Sequence, residues 1–389
     1  MSSRAQRPIL RLPRLVAALA ACAAGGLACT AAAAEEEDER RFVDPEDGKF
    51  DVSNFLDTAY GFLPVVIPIT EPAVGYGAGA ALVFIDRPPV TPDGRFHRPN
   101  MTVAGGLRTE NGTDGLFGGH LGTWRDGRLR TLAAVADMDV NLEFFGLGGD
   151  RIPGSGVEYT VEGTGGVLGG SWRLGASNLW LGARYALFET EVSLRDEGSG
   201  LPGVSPADFG LELAAITPTV TLDRRNNFFT PTDGWYLDLS MPLYRESVGS
   251  DRDFEKATLT GMYFQPLSDT LYLGVRSTVK YSSDGTPFYL RPYVALRGIQ
   301  ALRYQGEESI EAEVEFRWQF NPRFSAVFFG GAGVARGGTG DEDESAVSGG
   351  TGFRYLIARR HGLHVGLDVA AGPDGGAVYV IVGSAWMRP

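Results

Sequence analysis

Ile310-Glu311-Ala312-Glu313-Val314-Glu315-Phe316-Arg317-Trp318-Gln319-Phe320 decides the fold. Every even position is apolar, and every odd position is charged or an amide. Side chains alternate across a β-strand, so this stretch has one wholly apolar face and one wholly polar face. A strand of a soluble sandwich also alternates, but its polar face meets bulk water. Here the polar face carries three acids and an arginine, and the apolar face ends in aromatics. That combination suits lipid outside, a polar lumen inside and an aromatic girdle.

The pattern recurs on both sides of this stretch. Trp235, Leu237, Leu239, Met241 and Leu243 alternate with Asp238 and Ser240. Leu271, Leu273 and Val275 alternate with Gly274 and Arg276. Leu363, Val365, Leu367 and Val369 alternate with His364, Gly366 and Asp368. Strand-like segments closed by Gly, Pro, Asn or Asp centre near residues 65, 80, 103, 120, 133, 163, 183, 216, 239, 260 and 275, then 314, 328, 352, 366 and 381. The expected fold is all-β: a closed transmembrane antiparallel β-barrel of about sixteen strands. No helical period is sustained, and past the leader no apolar run is long enough for a transmembrane helix. A membrane-embedded form must cross as a closed barrel, because lipid leaves no other partner for backbone groups.

Residues 1–34 read as a cleavable signal peptide. Arg4, Arg7, Arg11 and Arg14 precede an apolar stretch from Leu15 to Leu27, and small residues run to Ala34. A lipoprotein box at Leu19-Ala20-Ala21-Cys22, lipidated on Cys22, is the alternative. Both cysteines, Cys22 and Cys29, lie in this leader, so the mature chain has no disulfide or thiol. Residues 35–59 are acidic and are expected to form a periplasmic tail, disordered or tucked into the lumen; 60–389 form the barrel. The 389-residue chain holds 35 Lys+Arg, 48 Asp+Glu and 54 Gly. Its acidity argues against nucleic acid, which needs a basic face.

Chemistry-bearing motifs are absent. There is no G-x-S-x-G, no H-E-x-x-H and no Cys/His metal spacing. The expectation is no catalytic residue, no metal, no cofactor and no enzyme activity. His97, His120, His361 and His364 read as surface or lumen residues, and Asp341-Glu342-Asp343-Glu344 as a solvated outside loop.

Two other stretches stand out. Asp223, Arg225, Asn227, Pro231 and Gly234 punctuate residues 223–234 as a structured turn: Asp and Asn bond the local backbone, Pro fixes φ and Gly permits positive φ. Ala295-Leu296-Arg297-Gly298-Ile299 lies in the long 283–307 connection, just before the acidic strand. An arginine entering the lumen there would meet Glu313 or Glu315, and the charge-assisted pair would anchor the loop.

Together these motifs resemble the barrel of the BamA/TamA-type outer-membrane assembly proteins, the bacterial surface-antigen family. That family has a sixteen-strand barrel, a D-x-R-x-N…P-x-x-G turn and a V/L-R-G-F/Y motif in its sixth outside loop. Asp223, Arg225, Asn227, Pro231 and Gly234 match the turn; Leu296, Arg297 and Gly298 match the loop, with Ile299 replacing the aromatic. The resemblance covers about residues 60–389 and implies that Glu315-Phe316-Arg317 is the family's E-x-R strand motif. Two departures follow. Gly331 occupies the place of the family's F-x-D-x-G aspartate, so Arg297 is expected to rely on Glu313 or Glu315, or to be less firmly held. Residues 35–59 are too few for a POTRA domain, so a separate periplasmic partner is expected.

In such a barrel the first and last strands meet. Pro64 and Pro68 on the first lack amide hydrogens on one edge, and the last, Ala377 to Trp386, includes Gly383. The expected function is assembly, insertion or translocation of proteins or lipids at the bacterial outer membrane through this weak seam. Outer-membrane lipids, a periplasmic protein and client proteins are the expected partners. A passive pore or structural barrel is the alternative.

Overall fold

The computed structural model describes residues 42–86, 98–146, 156–195, 204, 208–337 and 343–386. The leader, His97, Asp341 and Glu342 lie outside the described residues. One sheet contains β1 (Gly61–Glu71), β2 (Gly75–Ile85), β3 (Met101–Thr109), β4 (Asp114–Trp124), β5 (Leu129–Phe144), β6 (Val157–Arg173), β7 (Leu179–Leu194) and β8 (Gly210–Asp223). It continues through β9 (Gly234–Ser240), β10 (Leu243–Tyr244), β11 (Phe254–Pro266), β12 (Leu271–Ser282), β13 (Glu308–Gln319), β14 (Phe324–Arg336), β15 (Glu344–Ala358), β16 (Leu363–Gly372) and β17 (Gly375–Val382).

Pairing is antiparallel throughout, and each of the sixteen expected centres falls inside a strand. The seventeenth element is a split. β9 and β10 lie in line between β8 and β11, separated by Met241 and Pro242. Pro242 cannot donate to the ladder, so regular pairing breaks there. Its carbonyl still accepts from Lys256 N at 2.9 Å, and the strand resumes.

Paired residues share a face, so the registers carry one orientation around the sheet. Ile310, Val314, Phe316 and Trp318 are exposed on the outer face, with Leu237, Leu181, Trp172, Trp124 and Phe62. Glu311, Glu313 and Arg317 are buried on the inner face. At one end the connections between strands are mostly short turns; at the other, the long connection between β12 and β13 folds inward. These are the turn end and the loop end below.

Residues 42–58 correct the expectation of a disordered or lumenal tail. They dock on the turns β13–β14 and β15–β16, with a short helix, α1 (Ser53–Thr58), leading to β1. Arg323, 1% exposed, gathers three carboxylates: Asp44 at 2.5 Å, Asp47 at 2.6 Å and Asp51 at 2.6 Å. Arg360 and His361 each hold Asp57 at 2.7 Å, and Val52 N donates to Ile357 O at 2.8 Å. An acidic stretch looks solvated until a buried arginine is found to face it.

Candidate functional site

The long connection between β12 and β13 folds into the lumen, and two inward cations and a carboxylate hold its backbone. Arg276 donates to Ala295 O at 2.6 Å and Lys280 to Tyr293 O at 2.7 Å, while Ala295 N donates to Glu311 at 2.7 Å. The loop then reaches the far wall. Gln300 donates to Glu143 at 3.1 Å, Tyr289 shares a 2.7 Å hydrogen bond with Thr190, and Arg303 stacks 4.0 Å over Phe145. The lumen is thereby crossed at its loop end.

Arg297 is the centre of this crossing and is 4% exposed. Nη2 lies 2.7 Å from Glu313 and 2.8 Å from Glu315, and Nη1 lies 2.7 Å from Asp368 on β16. The guanidinium also sits 3.5 Å from the centre of the Phe329 ring. Asp368, fully buried, is shared with Arg354 at 2.5 Å. Two guanidinium groups and three carboxylates in one enclosed space offset one another's desolvation, which a lone buried charge could not do. Both of the expected partners, Glu313 and Glu315, engage Arg297, and Asp368 is a third that sequence reasoning missed.

The glycines explain how the loop lies so close. Gly298 has φ +89°, and a Cβ there would sit 3.0–3.1 Å from the Ala371 backbone. Its N–H donates to Tyr379 Oη at 2.9 Å. Gly331, at the place of the family's aspartate, has Leu296 over it: a Cβ would lie 2.9 Å from Leu296 Cδ2 and 2.8 Å from Ala312 O. Space given up by the aspartate on β14 is filled by the loop, and the carboxylate comes instead from β16.

The turn between β8 and β9 crosses the turn end. Arg225 grips Asp223 through Nε at 2.8 Å and Nη2 at 2.7 Å. Asn227 Oδ1 accepts from Phe229 N and Thr230 N, at 2.7 and 3.0 Å. Its Nδ2 donates to His361 O at 2.8 Å, tying this turn to the β15–β16 turn across the barrel mouth. Pro231 is buried. Gly234 has φ +100°, and a Cβ there would fall 2.2 Å from Arg224 O.

The remaining expected residues lie where the sheet's ends meet. β1 and β17 are adjacent, yet among the described residues no paired register joins them; Val380 N donates to Thr70 Oγ1 at 3.3 Å. The edge on which the prolines fall follows from the hydrogen bonds of β2. Glu110 N donates to Tyr76 O and Asp86 N to Asn100 O, so even residues of β2 face β3 and odd ones face β1. Odd residues of β2 pair with odd residues of β1. Even residues of β1, Pro64 and Pro68 included, therefore present their backbone to β17, where neither donates.

Trp386 does not extend the last strand. β17 ends at Val382, Gly383 turns the chain at φ +77°, and Trp386 enters the lumen. There its indole N–H donates to Glu313, and its ring packs 5.7 Å from that of Phe264. A terminal aromatic alternating with valines reads as lipid-facing; only the positive φ at Gly383 reverses it.

A folded-in loop locked by arginine, a crossing turn and an unladdered seam thus meet on one antiparallel sheet. Residues 207–370, which contain both motifs, match the model of the Omp85 superfamily domain. Similar solved structures include BamA from Haemophilus ducreyi lacking POTRA domains 1–3, at 14% identity and TM-score 0.55, covering 84% of this chain and 70% of that one. CdiB from Acinetobacter baumannii aligns at 12% identity and TM-score 0.56, over 82% of this chain and 59% of that one. CdiB from Escherichia coli aligns at 12% identity and TM-score 0.52, over 84% and 60%. The chain thus spans about three fifths of the CdiB chains. No curated protein sequence matches it. Identities this low carry the fold alone.

Proposed function

We propose that this barrel works in the bacterial outer membrane as a non-enzymatic insertion or secretion device for proteins, acting through the β1–β17 seam with a separate periplasmic partner. The seam carries the reading. Two of the backbone donors β1 could offer β17 are replaced by proline, and each missing bond forfeits about 1 kcal/mol. Every other neighbouring pair in the sheet has a paired register, so separation is least costly here. A passive pore fits less well, because the long loop crosses one mouth and the 223–234 turn the other.

The test uses Thr70→Cys/Val380→Cys in the otherwise thiol-free barrel, with a photo-crosslinking amino acid at Val66. In reduced cells Val66 should capture a polypeptide, and oxidation of the pair should abolish the adduct. An adduct that persists in the oxidised barrel, or none in either state together with steady conductance in a planar bilayer, refutes the reading.

A further inference from the structure

The lumen divides into two unlike walls. On the inner face of β12–β16 the long loop engages Arg276, Lys280, Glu311, Glu313 and Asp368. On the inner face of β1–β5 most side chains are apolar, Arg130 at the turn end apart, and Val65 and Ile67 are 37% and 46% exposed. One transverse row of successive partners reads Ile85, Met101, Leu121, Leu132, Gly169 and Arg184. It passes from aliphatic side chains into a cation without leaving the inner face.

Arg184 belongs to a cluster at the turn end. Arg98, Arg130, Arg184 and Arg225 line a cavity of about 250 Å³ that also touches Leu121 and Leu132. Its carboxylates are occupied: Asp223 is gripped by Arg225, and Asp238 accepts from Thr221 Oγ1 at 2.6 Å. Among the described residues the guanidinium groups of Arg98, Arg130 and Arg184 have no carboxylate partner. Arg130 stacks on Trp180 at 3.7 Å, Arg98 lies 5.3 Å from the centre of the Phe228 ring, and Arg184 lies across Gly169. The Arg225 side chain is only 2% exposed, yet its Nη1 has no hydrogen-bond partner. Clustered cations with few counter-charges set up a strong local field, and arginine forks match phosphate oxygens.

We propose that the lumen binds a phosphate-headed amphiphile. Its headgroup sits among Arg98, Arg130, Arg184 and the free Nη1 of Arg225. Its acyl chain lies along Leu132, Leu121 and Met101 toward β1. A free anion would leave the aliphatic row exposed; a neutral lipid would leave the arginines unpaired. An anionic amphiphile satisfies both, and β1, the strand beyond Ile85 of β2, borders the seam and so the bilayer.

The test is native mass spectrometry of the full-length protein released from non-ionic detergent. The probes are dioleoyl phosphatidate, dioleoyl phosphatidylcholine and inorganic phosphate. Phosphatidate should be retained one per barrel, about tenfold more tightly than phosphatidylcholine. Arg130→Gln/Arg184→Gln should remove that preference, as should Leu121→Asn from the apolar side. Arg184→Gln alone changes an exposed side chain with no partner, so it keeps the barrel folded and should still weaken retention. Equal retention of both lipids, or phosphatidate retention unchanged by Arg184→Gln, overturns the proposal. Displacement of phosphatidate by equimolar inorganic phosphate also overturns it, in favour of a free-anion site.

Discussion

Asp368 on β16 and Arg297 of the loop meet at 2.7 Å although 71 positions separate them. Their contact ties a folded-in connection to the last part of the wall, and Arg354 holds the same carboxylate from the other side. Removing one member of so buried a group leaves the others uncompensated. Asp368→Asn should destabilise the barrel by about 3–5 kcal/mol. Urea unfolding followed by tryptophan fluorescence measures it. In combination with Arg297→Gln the losses should fall well short of additive, because the residues share one network. Strict additivity would mean that the pair is not coupled.

Gly331 offers a reciprocal experiment. Restoring an aspartate there, Gly331→Asp, should destabilise the loop, since its Cβ would press on Leu296 and on the β13 backbone. Overpacking of this kind costs about 1–3 kcal/mol. Leu296→Ala in the same chain should recover part of the loss. Protease cleavage within 288–305 reports the outcome, and a single variant as resistant as wild type would count against the packing account.

Acid should release the 42–58 segment. The Arg323 guanidinium holds the Asp47 carboxyl below its ordinary value of 3.8. Burial works against Asp51, but hydrogen bonds from Ser53, Arg359 N and Arg323 outweigh it and lower that group too. Carboxyls held low contribute stability that is complete above pH 3.8 and lost as pH falls through their lowered values. Pepsin should therefore cut near Phe50 or Phe55 only well below pH 3.8. Arg323→Gln should expose the same bonds at neutral pH, to chymotrypsin.

Pro64→Ala/Pro68→Ala gives β1 back two amide donors facing β17. Hydrogen exchange at Val378, Val380 and Val382 should slow if a ladder forms. Total stability is the poorer readout, because removing proline also frees the unfolded chain. Exchange at these valines that stays as fast as in wild type would show that something other than missing donors keeps the seam open.

In β9 and β12 to β16, strand and face were readable because an apolar outer face and a polar inner face impose a period of two. β1 to β5, largely apolar on both faces, were legible mainly from their Gly, Pro, Asn and Asp breaks. The 223–234 turn and Arg297 were readable for a different reason: their Asp, Asn, Pro, Gly and Arg residues act locally or within a few strands. Asp368 was not, since one polar residue in an alternating strand looks like any other lumen side chain until the loop arrives above it. The docking of Asp44, Asp47 and Asp51 was hidden likewise; a run of acids carries no mark of the arginine 272–279 positions away that gathers it.

That clamp has a consequence for the sheet's two free edges. Asp57 is fastened to Arg360 and His361 beside β16, and the chain passes almost at once into β1 at Gly61. The leading edge is thus leashed to the strands flanking the trailing edge by a few residues of backbone. With a leash so short the edges face one another at an effective concentration of millimolar order or above. Parting them breaks only their own few contacts, and their reunion is a unimolecular recoil, hinged where the chain first touches the barrel.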